Sequence, residues 1–301
     1  MADPTGDNSA KNYHLDRPPV NEGFYVKGAA HLDWGMKNRL ARIFRPGSGR
    51  TVMLAFDHGY IMGPTAGLER LDLNIPPLIE HVDVLMATRG ALKSSIPPTQ
   101  PKAVCLRINY DATVLFDDLS QGGGIACDIV NAVRMNAGAL AVQTFVGAPG
   151  EKNSLELLAR TVDAGADHGL PTLGVVAVGK NLLRDEKFFL LATRLLAETG
   201  AQIVKSYYCP GFERVAAACP VPIVIAGGKK VPENEALGLC HRAVSEGAAG
   251  VDMGRNIFQS ENPLAMVQAV AKVVHENFTA KEAFQFYQDL AAGGKKRGRK
   301  S

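Results

Sequence analysis

Eight short apolar runs, separated by stretches of helical character, constrain this chain more than any other feature of its sequence. They span 51–57, 82–88, 103–109, 139–145, 172–178, 202–208, 222–226 and 250–254. Each is nearly continuous in apolar residues, which marks strands buried on both faces, and such strands belong to parallel sheets covered by helices. Helix-like segments at 67–80, 126–136, 154–168, 185–199 and 234–246 supply crossovers. A count of eight favours closure into a single (β/α)8 TIM barrel over a doubly wound open sheet. An extra amphipathic helix over 33–44 precedes the first strand and is expected to plug the barrel bottom. A last helix over 279–291 closes the chain. No internal linker interrupts the alternation, so one catalytic domain is expected over 26–292. A polar N-terminal arm at 1–25 is expected to be flexible, and a basic tail at 293–301 to be disordered.

Composition excludes several classes. A net charge of +3 argues against a dedicated nucleic-acid binder. The basic excess is local, at Lys295, Lys296, Arg297, Arg299 and Lys300; a functional tail of this kind would touch nucleic acid or anionic lipid, and the simpler reading is a solvated end. The five cysteines show no CxxC spacing. With no signal peptide they read as reduced thiols of a cytoplasmic protein. No apolar run reaches the roughly 18 residues of a membrane span. The seven histidines are scattered, with no His-x-x-x-His or His-x-His pair, so no metal is expected. There is no nucleophile elbow and no Rossmann fingerprint, and the glycines at 122–124 are not followed by the Gly-Lys-Ser/Thr of a nucleotide loop. The 110–124 crossover is long and is expected to be a mobile loop.

In such a barrel the active site lies where the strands end. Lys205 is the wrong residue for the middle of an apolar strand. A buried ammonium is costly unless an acid accompanies it, and an uncharged lysine amine can attack a carbonyl to form a Schiff base. Strand periodicity places Ile203, Lys205 and Tyr207 on one face. Lys205 is therefore expected to be the nucleophile, against the plainer reading of a salt-bridged structural lysine. Lys180, Lys229 and Lys230 fall just past strand ends and suit an anion or solvent better. Asp57 continues the inward parity of Met53 and Ala55 and is expected to meet Lys205, holding its ammonium, relaying protons or binding a substrate hydroxyl; capping of the next loop is the alternative. His58 beside it is a weaker candidate for substrate binding. Gly227, Gly228, Gly254 and Arg255 end adjacent strands where barrels bind phosphate, glycine permitting close backbone approach and arginine a bidentate contact.

These residues carry a resemblance. Asp57-His-Gly59, Ile203-Val-Lys205, Ile225-Ala-Gly-Gly228 and Gly250-Val-Asp-Met-Gly-Arg255 resemble the class I aldolase family that joins deoxyribose-phosphate aldolase-like barrels to archaeal-type fructose-bisphosphate aldolase. Longer runs, among them 32–36, 51–60, 67–70, 219–230 and 250–259, are similar to a thiolase branch of that family. The resemblance covers residues 30–290. It implies that Lys205 forms the Schiff base and that the glycine ends with Arg255 hold a substrate phosphate. It further implies acetyl transfer from a phosphorylated dione to coenzyme A in the breakdown of autoinducer-2, with coenzyme A as co-substrate, no bound cofactor, and a homo-oligomer for which a decamer is one candidate size. Two departures bear on activity. The archaeal-type aldolases carry a tyrosine at the end of strand five, where this chain reads Val175-Val-Ala-Val-Gly-Lys180. Met62 replaces a second histidine after the Asp-His-Gly motif. Both weaken the alternative of a sugar-phosphate aldolase or transaldolase-like synthase.

Overall fold

All eight expected strands form and close on one another. A computed structural model describes residues 16–17, 23–121, 123–177 and 183–297. The strands are β1 (Thr51–Ala55), β2 (Val84–Ala87), β3 (Ala103–Arg107), β4 (Ala139–Thr144), β5 (Thr172–Val176), β6 (Ile203–Ser206), β7 (Ile223–Ala226) and β8 (Gly250–Met253). Every pairing is parallel and between neighbours in chain order, and β8 returns to β1 to complete the barrel. The apolar runs extend past the last ladder bonds of their strands. The overhang matters, because Asp57 and Tyr207 stand on it at the C-terminal mouth.

Inside the barrel, Met53, Met86, Cys105, Ala141, Leu173, Ile203 and Val224 form one cluster with Leu40, Ile43 and Phe44. The latter belong to, or follow, the helix Trp34–Ile43, whose first turn is capped by Asp33 accepting from the Met36 amide at 3.0 Å. That helix is the expected plug, and it seals the end of the barrel opposite the strand C-termini. Below the strands, Asp83 accepts from Arg45 Nε (2.6 Å) and the Val52 amide (2.8 Å) and contacts His275 Nε2 at 2.9 Å, while His275 Nδ1 lies 2.9 Å from Ser48 Oγ. This network ties the segment before β1 and the turn before β2 to the helix Pro263–Glu276.

The crossovers depart from expectation in places. The 67–80 segment is not one helix but a turn at Leu71–Asn74 followed by a 3-10 segment, Pro76–His81, because Pro76 and Pro77 remove backbone donors. The 126–136 helix shortens to Ile129–Arg134, starting where Asp128 caps the Asn131 amide at 2.8 Å. Helices Glu151–Asp167, Glu186–Glu198 and Glu233–Ser245 fall close to their expected bounds. The last helix, Ala280–Arg297, runs past 291, so the boundary placed at 293 lies within a helix. Residues 298–301, and nearly all of the N-terminal arm, lie outside the described residues. The long 110–124 crossover returns on itself, with Asn109–Tyr110 antiparallel to Gly124–Ile125, and presents Leu115 at 92% exposure. All five cysteines are free and buried. Among the described residues no helix is long and apolar enough to cross a membrane.

Candidate active site

Lys205 sits within β6, flanked in register by Val175 of β5 and Val224 of β7. Its residue is 9% exposed. Its Nζ stands 2.9 Å from Oδ2 of Asp252 and 3.4 Å from Sδ of Met86. Asp252 is in the middle of β8, with no exposed side-chain surface. Burial pushes its carboxyl above the ordinary range, and the Lys205 ammonium offsets this only in part. An acid in that condition is disposed to take up the proton that an adjacent lysine must lose before it attacks a carbonyl.

Asp57 does lie inside the mouth, but it does not hold the ammonium as its main partner. Arg107, the last residue of β3, donates to Asp57 Oδ2 from Nε (2.8 Å) and Nη2 (2.5 Å). Burial works to raise the Asp57 carboxyl, yet the Arg107 charge, with Lys205 adding to it, holds it below the usual carboxylate range. The expectation that Asp57 pairs with Lys205 is corrected accordingly: β8 supplies the acid nearest the amine, and β3 supplies the cation that occupies Asp57. Arg107 also reaches Gln143 Oε1 and Asn109 Oδ1, each at 3.4 Å. Asn109 passes the network to Asp111, which accepts from the Tyr60 hydroxyl at 2.7 Å.

His58 stacks on Phe258, ring centroids 5.7 Å apart. Burial lowers its pKa, with Asp57 opposing, so the ring is neutral at neutral pH. Its Nε2 is buried and has no hydrogen-bond partner among the described residues.

The glycine ends meet on the far wall. A Cβ at Gly254 would stand 2.2 Å from the Ala55 carbonyl oxygen, so only glycine lets β8 leave the barrel beside β1. Gly228 adopts φ +71°. Asn256 fixes the loop after β7 by donating to the Gly227 carbonyl (2.7 Å) and accepting from the Val231 amide (2.9 Å). One cavity is lined by Asp57, His58, Met62, Arg107, Gln143, Lys205, Tyr207, Gly227, Gly228, Asp252, Gly254 and Arg255. The structure thus brings together every site residue expected from the sequence. Lys229 and Lys230 do not line this cavity, and Lys230 pairs with Glu233 at 2.8 Å. Lys180 lies outside the described residues. Among the described residues no group of three or more His, Cys, Asp or Glu side chains is arranged to hold a metal.

The sequence placed Arg107 and Gln143 at strand ends and Asp252 in a strand motif, but gave none of the three a role. The signal was present for Asp252, a carboxylate in an apolar strand being as anomalous as Lys205. Arg107 carried the same signal in the third run.

The arrangement offers an amine next to a proton-accepting acid, a glycine-lined wall with an arginine, and a guanidinium on the opposite side. Comparison with known proteins agrees with a carbonyl-active barrel. The sequence profile of the DeoC/LacD family aldolases matches residues 51–260. The chain is 52% identical over 294 residues to a 3-hydroxy-5-phosphonooxypentane-2,4-dione thiolase of Enterobacter sp. (strain 638), covering 97% of this chain and 99% of that protein. It is 52% identical over 290 residues to an uncharacterized aldolase of Pasteurella multocida, covering 96% and 99%. An archaeal fructose 1,6-bisphosphate aldolase superposes with a TM-score of 0.72 at 24% identity, over 80% of this chain and 99% of that one, a likeness of fold. The chain belongs to the DeoC/LacD family of aldolases.

Proposed function

We propose that this protein is a Schiff-base thiolase that moves the acetyl group of 3-hydroxy-5-phosphonooxypentane-2,4-dione to coenzyme A, releasing acetyl-CoA and dihydroxyacetone phosphate. The observation that carries the reading is the Lys205–Asp252 pair, facing a cavity also lined by Gly227, Gly228, Gly254 and Arg255. The names of relatives 52% identical support the choice of substrate.

The substrate phosphate docks on the glycine ends and Arg255. Lys205, its proton passed to Asp252, adds to the ketone nearest the phosphate, and loss of water gives an iminium. The acceptor thiol gives its proton to water, and the thiolate attacks the remaining, acetyl carbonyl. As that tetrahedral adduct collapses, the C–C bond breaks and its electron pair moves to the iminium nitrogen, leaving an enamine and a thioester. Protonation at carbon and hydrolysis then free dihydroxyacetone phosphate and restore the amine. The iminium is a far better electron sink than a neutral ketone. Asp252 of β8, and Tyr207 on the overhang of β6, are the groups beside Lys205 suited to hand protons to and from the enamine.

Tyr207 also favours a second reading. A phenol in the cavity could serve the C4 hydroxyl of a sugar phosphate, which would make the protein a metal-independent aldolase. Turnover of the phosphorylated dione with and without coenzyme A separates the two. The thiolase reading expects acetyl-CoA and dihydroxyacetone phosphate in equal amounts only when coenzyme A is present. Borohydride reduction with dihydroxyacetone phosphate should mark Lys205; a label on Lys229 or Lys180 would overturn the assignment.

A further inference from the structure

The thiol that takes the acetyl group also needs a way in. Because the strands close in chain order, the β7–β8 wall stands across the barrel from β3 and β4. A short substrate anchored by its phosphate at β7–β8 and bonded to Lys205 would have the remaining wall of the cavity, with Arg107 and Gln143, for its far end.

A second cavity begins at that wall. Asn109 and Gln143 lie at its inner end, and Asn153 and Arg160, exposed on the helix Glu151–Asp167, line its outer part. The packing of its sides is fixed. Ser120 Oγ accepts from the Gly150 amide at 3.2 Å, and a Cβ at Gly150 would stand 1.9 Å from the Ser120 carbonyl oxygen. The 110–121 segment is therefore seated against the start of that helix, and a polar cleft remains between them.

The lining selects its occupant. Asn109, Gln143 and Asn153 offer amides and Ser120 a hydroxyl, while Asp111 adds a carboxylate. Arg160 is already paired with Glu156 at 2.5 Å. A second substrate phosphate placed deep in this cleft would face Asp111, and among the described residues that line it the one cation, Arg160, is the one already paired. A narrow, uncharged chain that both donates and accepts hydrogen bonds fits the same groups. We propose that this cleft admits the amide-bearing thiol arm of the acceptor and delivers its sulfur past Gln143 to the acetyl carbonyl. The proposal rests on the thiolase reading and adds to it the route of the second substrate.

The test places bulk in the cleft without touching Lys205. Asn153→Trp and Glu156→Trp each add an indole at an exposed helical position that lines the cleft; Asp163→Trp adds one on the same helix away from it. Thioester formation is followed against coenzyme A concentration, alongside borohydride trapping of dihydroxyacetone phosphate on Lys205. The expected result is a KM for coenzyme A raised about tenfold or more by each cleft variant, the scale of a disturbed binding contact, with the trapped yield retained and Asp163→Trp like wild type. An unchanged KM for coenzyme A in both cleft variants overturns the route while leaving the thiolase reading standing. Failure of the wild-type protein to form any thioester overturns both.

Discussion

Replacing Lys205 by methionine should leave Asp252 as a buried acid with nothing to answer it. The ammonium is 2.9 Å from Oδ2, and the carboxylate oxygens accept no other hydrogen bond from the described residues. Burial already raises this carboxyl in the intact protein, so without the ammonium it will hold its proton in the folded state. In an unfolded chain an aspartate titrates at about 3.9. The sign follows from linkage. A folded pKa above the unfolded one gives stability that is fully present below the unfolded pKa and lost as pH rises toward the folded one. The cost should therefore be small near about pH 5 and grow as the pH rises, toward the roughly 3–5 kcal/mol usual for breaking one side of a buried pair. Urea unfolding of wild type, Lys205→Met and Lys205→Met/Asp252→Asn at about pH 5 and about pH 8 measures it. The single variant should lose far more stability at the higher pH. The double variant should recover most of that loss, since a neutral pair replaces an orphaned charge. A penalty equal at the two pH values, or a double variant no more stable than the single, would refute the argument.

Arg255→Ala should weaken phosphorylated ligands by about 1.5–3 kcal/mol, as expected for a charge-assisted hydrogen bond, and affect an unphosphorylated analogue much less; equal losses in calorimetric titration would contradict a phosphate role. His275→Ala removes a partner of Asp83 and Ser48 at the closed end of the barrel, so it should cost about 1–3 kcal/mol in urea melts while leaving kcat unchanged; a fall in kcat with intact stability would show coupling between the two ends. Fructose 1,6-bisphosphate should be cleaved at least about a hundredfold more slowly than the dione reacts, the lower end of what one general acid–base group contributes, because strand five ends in Val175 and Val176 rather than a tyrosine. Comparable kcat/KM values would show that Tyr207 does that work and would promote the aldolase reading.

The barrel, its eight strands, its plugging helix and the places where chemistry is anomalous were all legible in the linear chain. These are local properties: apolar runs of strand length, an amphipathic segment, and charged or glycine residues where an apolar strand should continue. Lys205, Asp57 and the glycine ends were legible for that reason. The tertiary structure decided which charge answers which. Asp57 and Asp252 both point inward on neighbouring strands, and parity makes them equivalent partners for Lys205. Only the positions of β3 and β8 around the closed barrel give Arg107 to Asp57 and leave Asp252 for the lysine. The cleft beside β4 was equally illegible, because it lies between the 110–121 segment and a helix that begins some thirty residues later, and a cavity between segments so far apart has no periodicity to read.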